Sequence, residues 1–291
     1  MSTISANSSD LPDRYQGEIP NIGYFGRMEK ILISANVTDT TIATNMIIKK
    51  IFGLMDMEAD INLYKDVEAL KTDVSENHID AVFVNIFDYF AMENLLSPDY
   101  IYALSLRPDK FEKTLLLTRK EYGITSLNQL KGLSISIPSG HLLGRYYLDL
   151  ELMKRNLPKT EKYFSHINET DDINSAIIDL FFGKSDCALV TDIALDNAGQ
   201  LNEQVSKKLD ILLTSGEMVP QVIALNKNIS TSILKDVEHH IVKAHEVPQI
   251  KKLLTLFRAE KIVKLYKDQL QESRRLLIEY SSLNEVQAYN R

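Results

Sequence analysis

The 291-residue sequence contains one cysteine, Cys187, so no intrachain disulfide can form. It sits in the apolar run CALV, the setting of a small buried hydrophobe. Long hydrophobic runs are also missing, since no stretch reaches the ~18 apolar residues of a membrane span. The opening MSTISANSSDLPDRYQGEIPN is polar and lacks the apolar centre of a signal peptide. Two expectations follow: a cytoplasmic protein, or an exported one whose Met1 is a new start. Excess positive charge is absent too, with 33 Lys and Arg against 40 Asp and Glu and a net charge of −7. That balance offers no broad basic face to nucleic acid. A small anion needs only a local positive potential. No phosphate-loop lysine, dinucleotide glycine pattern or Gly-x-Ser-x-Gly elbow is present. His239 and His240 are adjacent and His245 lies five residues beyond, which is not the spacing of a zinc-binding helix. We therefore expect no metal, no cofactor and no catalytic residues.

What is present is the pattern of a soluble α/β protein, with 25% charged and 44% hydrophobic residues. Residues 1–28, rich in Ser, Asn, Asp and Pro, read as a flexible leader. KILISANV (30–37) then predicts a strand, the next helix runs to about Asp56, and ADINLYK (59–65) and IDAVFVNI (79–86) predict two more strands around a polar-faced helix. A second round has strands at 112–119, 133–137, 187–191, 209–215 and 221–227, with helices between them. Strand–helix alternation predicts right-handed crossovers and mainly parallel sheets. From Ser230 onward the chain reads as helical, and such a tail needs a sheet to cover its apolar faces. The first half is the simplest cover. The expected organisation is lobe 1 over 29–115, lobe 2 over 116–215, and a return at 216–291 that completes lobe 1. Two extended crossings, near Leu117 and Pro220, would then form a hinge.

The stretch SIPSGHLLGRYYLDLEL (136–152) passes from strand to helix through Ser139, Gly140 and His141. A helix start presents unpaired N–H groups and suits an anion. Ser139 adds a hydroxyl, Gly140 permits close backbone approach, and His141 adds a donor that is cationic only with a raised pKa. Three other loops follow strand ends, where ligands of open α/β sheets bind. Thr38, Asp39, Thr40 and Thr41 form one, in which hydroxyls can donate and Asp39 can cap a helix. Asn85, Phe87, Asp88 and Tyr89 form another, with hydrogen-bonding groups, an aromatic wall and an acid. Thr191 and Asp192 form the last. Helix capping accounts for these residue types as well as ligand binding does. Asp39, Asp88 and Asp192 together would suit a zwitterion better than inorganic phosphate.

ITSLNQLKGLSISIPSG, HIDAVFVNIFDYF, INSAIIDLFFGKSDCALVTD and LLTLFRAEKIVKLYKDQL together resemble the blocks of type 2 periplasmic solute-binding proteins, nearest to the phosphate/phosphonate-binding receptors of ABC transporters. The resemblance spans roughly residues 29–275. It implies two α/β lobes on a double hinge, a helical end on the first lobe, closure on a small anionic or zwitterionic solute, and no enzymatic activity. It also implies a periplasmic or otherwise extracytoplasmic monomer that works with a membrane permease or a sensor protein. One departure is visible, because the ligand turn has Ser139, Gly140 and His141 followed by Leu142 and Leu143, where those receptors carry several hydroxyls. Two alternatives stay open: a cytoplasmic enzyme on the same fold, similar to menaquinone-pathway enzymes, and a sensing domain of a larger receptor.

Overall fold

The structure is a computed structural model that describes residues 19–24, 40–55, 57–105, 107, 110–255 and 259–289, with backbone alone at 40–45 and 285–289. Its first layer is built from β1 (Asn21–Tyr24), α1 (Thr40–Leu54), β2 (Asp60–Leu63), α2 (Val67–Ser75), β3 (Ala81–Asn85), α3 (Ile86–Met92) and β4 (Leu96–Ser105). The chain then builds a second layer from β5 (Glu112–Arg119), β6 (Ser134–Pro138), α4 (Leu142–Met153), α5 (Thr160–Tyr163), β7 (His166–Thr170), α6 (Ile173–Phe181), β8 (Cys187–Thr191), α7 (Asp192–Leu201), α8 (Glu203–Lys208) and β9 (Leu209–Met218). It returns through β10 (Gln221–Asn226), α9 (Thr231–Ile241), α10 (Pro248–Leu254), β11 (Lys261–Leu265) and α11 (Gln271–Tyr289).

The strands form two sheets, of order β11-β4-β10-β3-β1-β2 and β7-β6-β8-β5-β9. Each is mixed, a finer result than the mainly parallel sheets expected. β1 pairs parallel with β2 and β3, and β6 with β7 and β8. The strands on either side of the crossings, β4, β5, β9 and β10, pair antiparallel. Leu116, Leu117, Ile135, Ile137 and Leu189 are fully buried in the second layer, and removing one such side chain to Ala costs about 2–5 kcal/mol.

Several elements depart from the sequence reading. Asn21–Tyr24, inside the stretch read as leader, is a central strand. Its Pro-Asn-Ile-Gly-Tyr composition looks like a linker, but neighbours on both sides supply its order. A side chain at Gly23 would meet Leu70 Cδ1 at 2.6 Å, so the glycine makes room for α2. The expected strand at 30–37 lies outside the described residues. Lys261–Leu265, read as helix, is an edge strand against β4, and β4 and β7 went unassigned. Leu117 is no crossing residue, because it lies in the middle of β5 between β8 and β9.

The chain passes between sheets after Ser105 and before Glu112, where Arg107 bridges Lys110, and at Val219-Pro220. The second passage is pinned: the Ile86 N–H donates to the Pro220 carbonyl at 3.0 Å, and the Val219 N–H donates to Ser273 Oγ at 3.0 Å. In the tail, α10 packs on α1, while α11 runs against α4 of the second layer and also touches α3 and β9. Arg274 of α11 pairs bidentately with Glu93 beyond α3, and Lys154 of α4 reaches Glu279 at 2.7 Å. The last helix thus joins both layers.

Candidate functional site

The parallel strands β3, β6 and β8 each run into a helix, and the three junctions carry Asn85-Ile86-Phe87-Asp88, Ser139-Gly140-His141 and Thr191-Asp192. They are the carboxyl ends of strands, where an open α/β sheet leaves room for a ligand. Their local chemistry differs.

At the start of α4 the N-cap position is His141, and its side chain makes no capping hydrogen bond. By contrast, α2, α3, α6, α7 and α9 are capped by Asp66, Asn85, Asp172, Thr191 and Ser230. The His141 N–H donates to the Pro138 carbonyl at 2.9 Å and the Leu142 N–H to the Gly140 carbonyl at 3.0 Å, so this uncapped start keeps the N–H groups of Gly140 and Leu143 and the positive end of the helix dipole. Beside it, Ser139 Oγ is buried and finds no hydrogen-bond partner among the described residues. A buried hydroxyl in that state costs roughly 1–3 kcal/mol unless something accepts or donates to it. The Ser139 N–H is already used, donating to the Thr170 carbonyl at 3.0 Å, which fixes the turn onto β7.

His141 is not a cationic arm. Its ring lies over Gly144, where a Cβ would meet Nε2 and Cδ2 at 2.2 Å, so only glycine admits this packing. Nε2 sits 3.4 Å from Thr114 Oγ1. Burial, helped by the neighbouring Arg145 charge, pushes its pKa down to about 4, so the ring is neutral at pH 7. Arg145 is itself engaged, with Glu161 at 3.1 Å and Glu169 at 2.7 Å. The positive potential of this turn therefore comes from the backbone.

At the start of α3, Asn85 is a cap: its Oδ1 accepts from the N–H groups of Phe87 at 2.9 Å and Asp88 at 3.0 Å, and its Nδ2 donates to Asp88. Burial raises the pKa of Asp88, and the Asn85 amide pulls it partly back. Phe87 points to the other layer, with its ring centroid 4.5 Å from that of Tyr146 in α4. Tyr89 is 4% exposed and belongs to the core. Burial, together with the charge of Glu93 and against that of Arg274, pushes its phenol up to about 12.

At the start of α7, Thr191 Oγ1 accepts from the Ala194 N–H at 3.3 Å, and Asp192 Oδ1 accepts from the Lys113 N–H at 2.9 Å. Arg107 lies 3.9 Å from Asp192 and 2.8 Å from Asp196. Asp192 thus ties the first crossing to the second layer, while Thr191 caps α7. Thr38 and Asp39 lie outside the described residues, and Thr40 and Thr41 open α1 with backbone alone described.

The structure thus brings Ser139, Gly140 and His141 next to Thr114, and places Asn85, Phe87 and Asp88 on the facing layer. Residues that sequence reasoning passed over are Thr114, Tyr146 and Tyr280. Thr114 is a 2%-exposed hydroxyl that opens the apolar run Leu115–Leu117 of β5, and its place beside that run is the readable signal. Tyr146 and Tyr280 are 134 positions apart, so nothing local announces that their rings lie 4.5 Å from each other.

Comparison with known proteins gives these arrangements a family. A family model described as ABC transporter, phosphonate, periplasmic substrate-binding protein matches residues 45–270. Among solved structures, PhnD1 from Prochlorococcus marinus in complex with methylphosphonate aligns at 15% identity and a TM-score of 0.56, covering 89% of this chain and 96% of that one. A phosphonate transporter binding component from Pseudomonas aeruginosa, PA3383, aligns at 14% identity and a TM-score of 0.57, covering 92% and 88%. XAC2383 from Xanthomonas citri, bound to ATP, aligns at 11% identity and a TM-score of 0.60, covering 92% and 98%. Comparison with curated proteins by sequence returns no match. At these identities the structures speak for the fold, and among the described residues no helix is long and apolar enough to cross a membrane. With the family model covering most of its length, this chain belongs to the phosphonate-binding periplasmic proteins of ABC transporters, a two-lobed family that binds solutes and performs no catalysis.

Proposed function

We propose that this protein holds the anionic head of a phosphonate at the turn before α4, in the cleft between the two layers, and delivers it to a membrane permease from the extracytoplasmic side. The observation that carries this reading is the pairing of a buried, unpartnered Ser139 Oγ with a helix start that no side chain caps. Together they offer a hydroxyl and the backbone N–H groups of Gly140 and Leu143 to oxygens of a small anion. Gly140 is exposed and a Cβ there would meet nothing, so the approach is open. On the facing layer Asp88 supplies an acceptor that suits a ligand amine, which favours an aminoalkylphosphonate over inorganic phosphate.

The proposed lobes are 29–115 with 216–291, and 116–215, and closure rotates one on the other at the two crossings. The two-sheet order supports a division into two lobes, and the passages of the chain, between Ser105 and Glu112 and at Val219-Pro220, lie a few residues from these limits, which fall inside β5 and β9. We further propose that the protein works as a monomer.

Isothermal titration calorimetry with methylphosphonate, 2-aminoethylphosphonate and inorganic phosphate tests the assignment. Saturable binding of a phosphonate at one site, abolished or weakened by Ser139→Ala, is the expected result. Absence of heat with all three probes from a folded protein overturns it.

A further inference from the structure

The ring of Tyr146 is held from two sides. Phe87, from the first layer, stacks at 4.5 Å between centroids with a 37° tilt. Tyr280, from α11, stacks at 4.5 Å with a 56° tilt. Tyr280 is anchored in turn, because Lys159 Nζ donates to its hydroxyl at 2.8 Å, sits 4.7 Å over its ring and reaches Asn284 Oδ1 at 2.6 Å. Aromatic pairs in such tilted contacts gain about 0.5–1.5 kcal/mol each beyond their burial. The ring is therefore a fixed wall.

Its position gives that wall a purpose. Tyr146 lies five residues after His141, the N-cap of α4. Helical side chains lean back towards the N-terminus, so the ring covers the turn that precedes it. That turn leads back to Ser139 and Gly140. Phe87, the partner on the opposite layer, lies one residue before Asp88 in the facing junction. An anion seated at the α4 start would direct its substituent into the gap between the two junctions, and the Phe87–Tyr146 contact spans the same two junctions.

We propose that Tyr146 is a specificity-determining residue: locked between Phe87 and Tyr280, its ring closes one side of the cleft and limits the size of the organic group that a bound phosphonate carries. This inference rests on the phosphonate reading above. It adds a selection by substituent size to the recognition of the anionic head by Ser139 and the backbone. The C-terminal helix, through Tyr280, then shapes the ligand site from outside it.

The test compares methylphosphonate with phenylphosphonate by calorimetry in the parent, Tyr146→Phe, Tyr146→Ala and Phe87→Ala proteins, each checked for folding by circular dichroism. The parent and Tyr146→Phe, which keeps the stack, are expected to prefer methylphosphonate. Removing the ring in Tyr146→Ala, or its support in Phe87→Ala, is expected to shrink that preference roughly tenfold, the usual worth of a steric misfit in a pocket. Two variants on opposite layers keep the test decisive if one fails to fold. An unchanged preference, with methylphosphonate still bound, overturns the wall and leaves the phosphonate reading intact. Loss of methylphosphonate from the folded alanine variants also overturns it, because the ring would then hold the head group. No binding of either probe by the parent removes the phosphonate reading and this inference together.

Discussion

Replacing Ser139 by alanine makes two predictions of opposite sign. In the free protein its hydroxyl is buried without a partner, so deleting it removes an unpaid desolvation cost. Ser139→Ala is expected to leave the stability of the free protein unchanged or raise it by up to about 1 kcal/mol. Most serine deletions at a strand–helix junction would do the reverse, costing about 0.5–2 kcal/mol through a lost cap. Here no cap is lost, since the Ser139 N–H, rather than its side chain, bonds Thr170. In the proposed complex the same hydroxyl would meet an anion. A hydrogen bond to a charged group contributes about 1.5–3 kcal/mol, so affinity for methylphosphonate falls roughly 10- to 150-fold. Chemical denaturation of the free protein and calorimetry of the complex read the two halves separately. A variant that binds like the parent, or whose free form loses more than about 1 kcal/mol, refutes the reasoning.

Four further outcomes follow from the same geometry. Burial pushes the His141 pKa down to about 4, below the ~6.5 of an unfolded imidazole, so its contribution is full above pH 6.5 and is lost as pH falls towards 4; for a residue that is half-buried as a whole, the loss is about 1–3 kcal/mol. The parent should therefore lose more stability than His141→Leu between pH 7 and 4.5 in urea unfolding, and equal losses would discount the burial of this ring. Asn85→Ala removes the acceptor for two α3 N–H groups and should cost about 1 kcal/mol of stability in the same assay. Asp88→Asn should erase any preference for 2-aminoethylphosphonate over methylphosphonate while sparing the latter, whereas a preference that persists would place the amine elsewhere. Burial holds the Cys187 thiol pKa well up, so an aromatic disulfide reagent should label it only after denaturant unfolds the chain.

Much of this molecule was legible in residue pattern. EKTLLLTR, CALVT and QVIALN are strands within a residue of where apolar runs place them, because each is buried on both faces and carries its own signal. The strands that escaped notice draw their order from elsewhere. Asn21–Tyr24 is four residues long and depends on β2 and β3, and Lys261–Leu265 borrows its register from β4 in a stretch whose apolar spacing also fits a helix. The site shows the same division. Asn85, Asp172 and Thr191 cap helices as their residue types allow, and the α4 start, uncapped like those of α5 and α10, differs from them by the buried Ser139 hydroxyl beside it. His141 reads as a donor in sequence, yet Gly144, three residues on, lets its ring fold down and become neutral. The Phe87–Tyr146–Tyr280 stack joins three distant segments and is invisible to any local window.

The central claim is that the anion sits at the start of α4. A crystal structure of the protein with methylphosphonate tests it most directly. The expected density places phosphonate oxygens within hydrogen-bond distance of Ser139 Oγ and of the backbone N–H groups of Gly140 and Leu143, with Phe87 and Tyr146 still in contact. A phosphonate held elsewhere in the cleft, with Ser139 Oγ turned to a protein partner, would contradict the account.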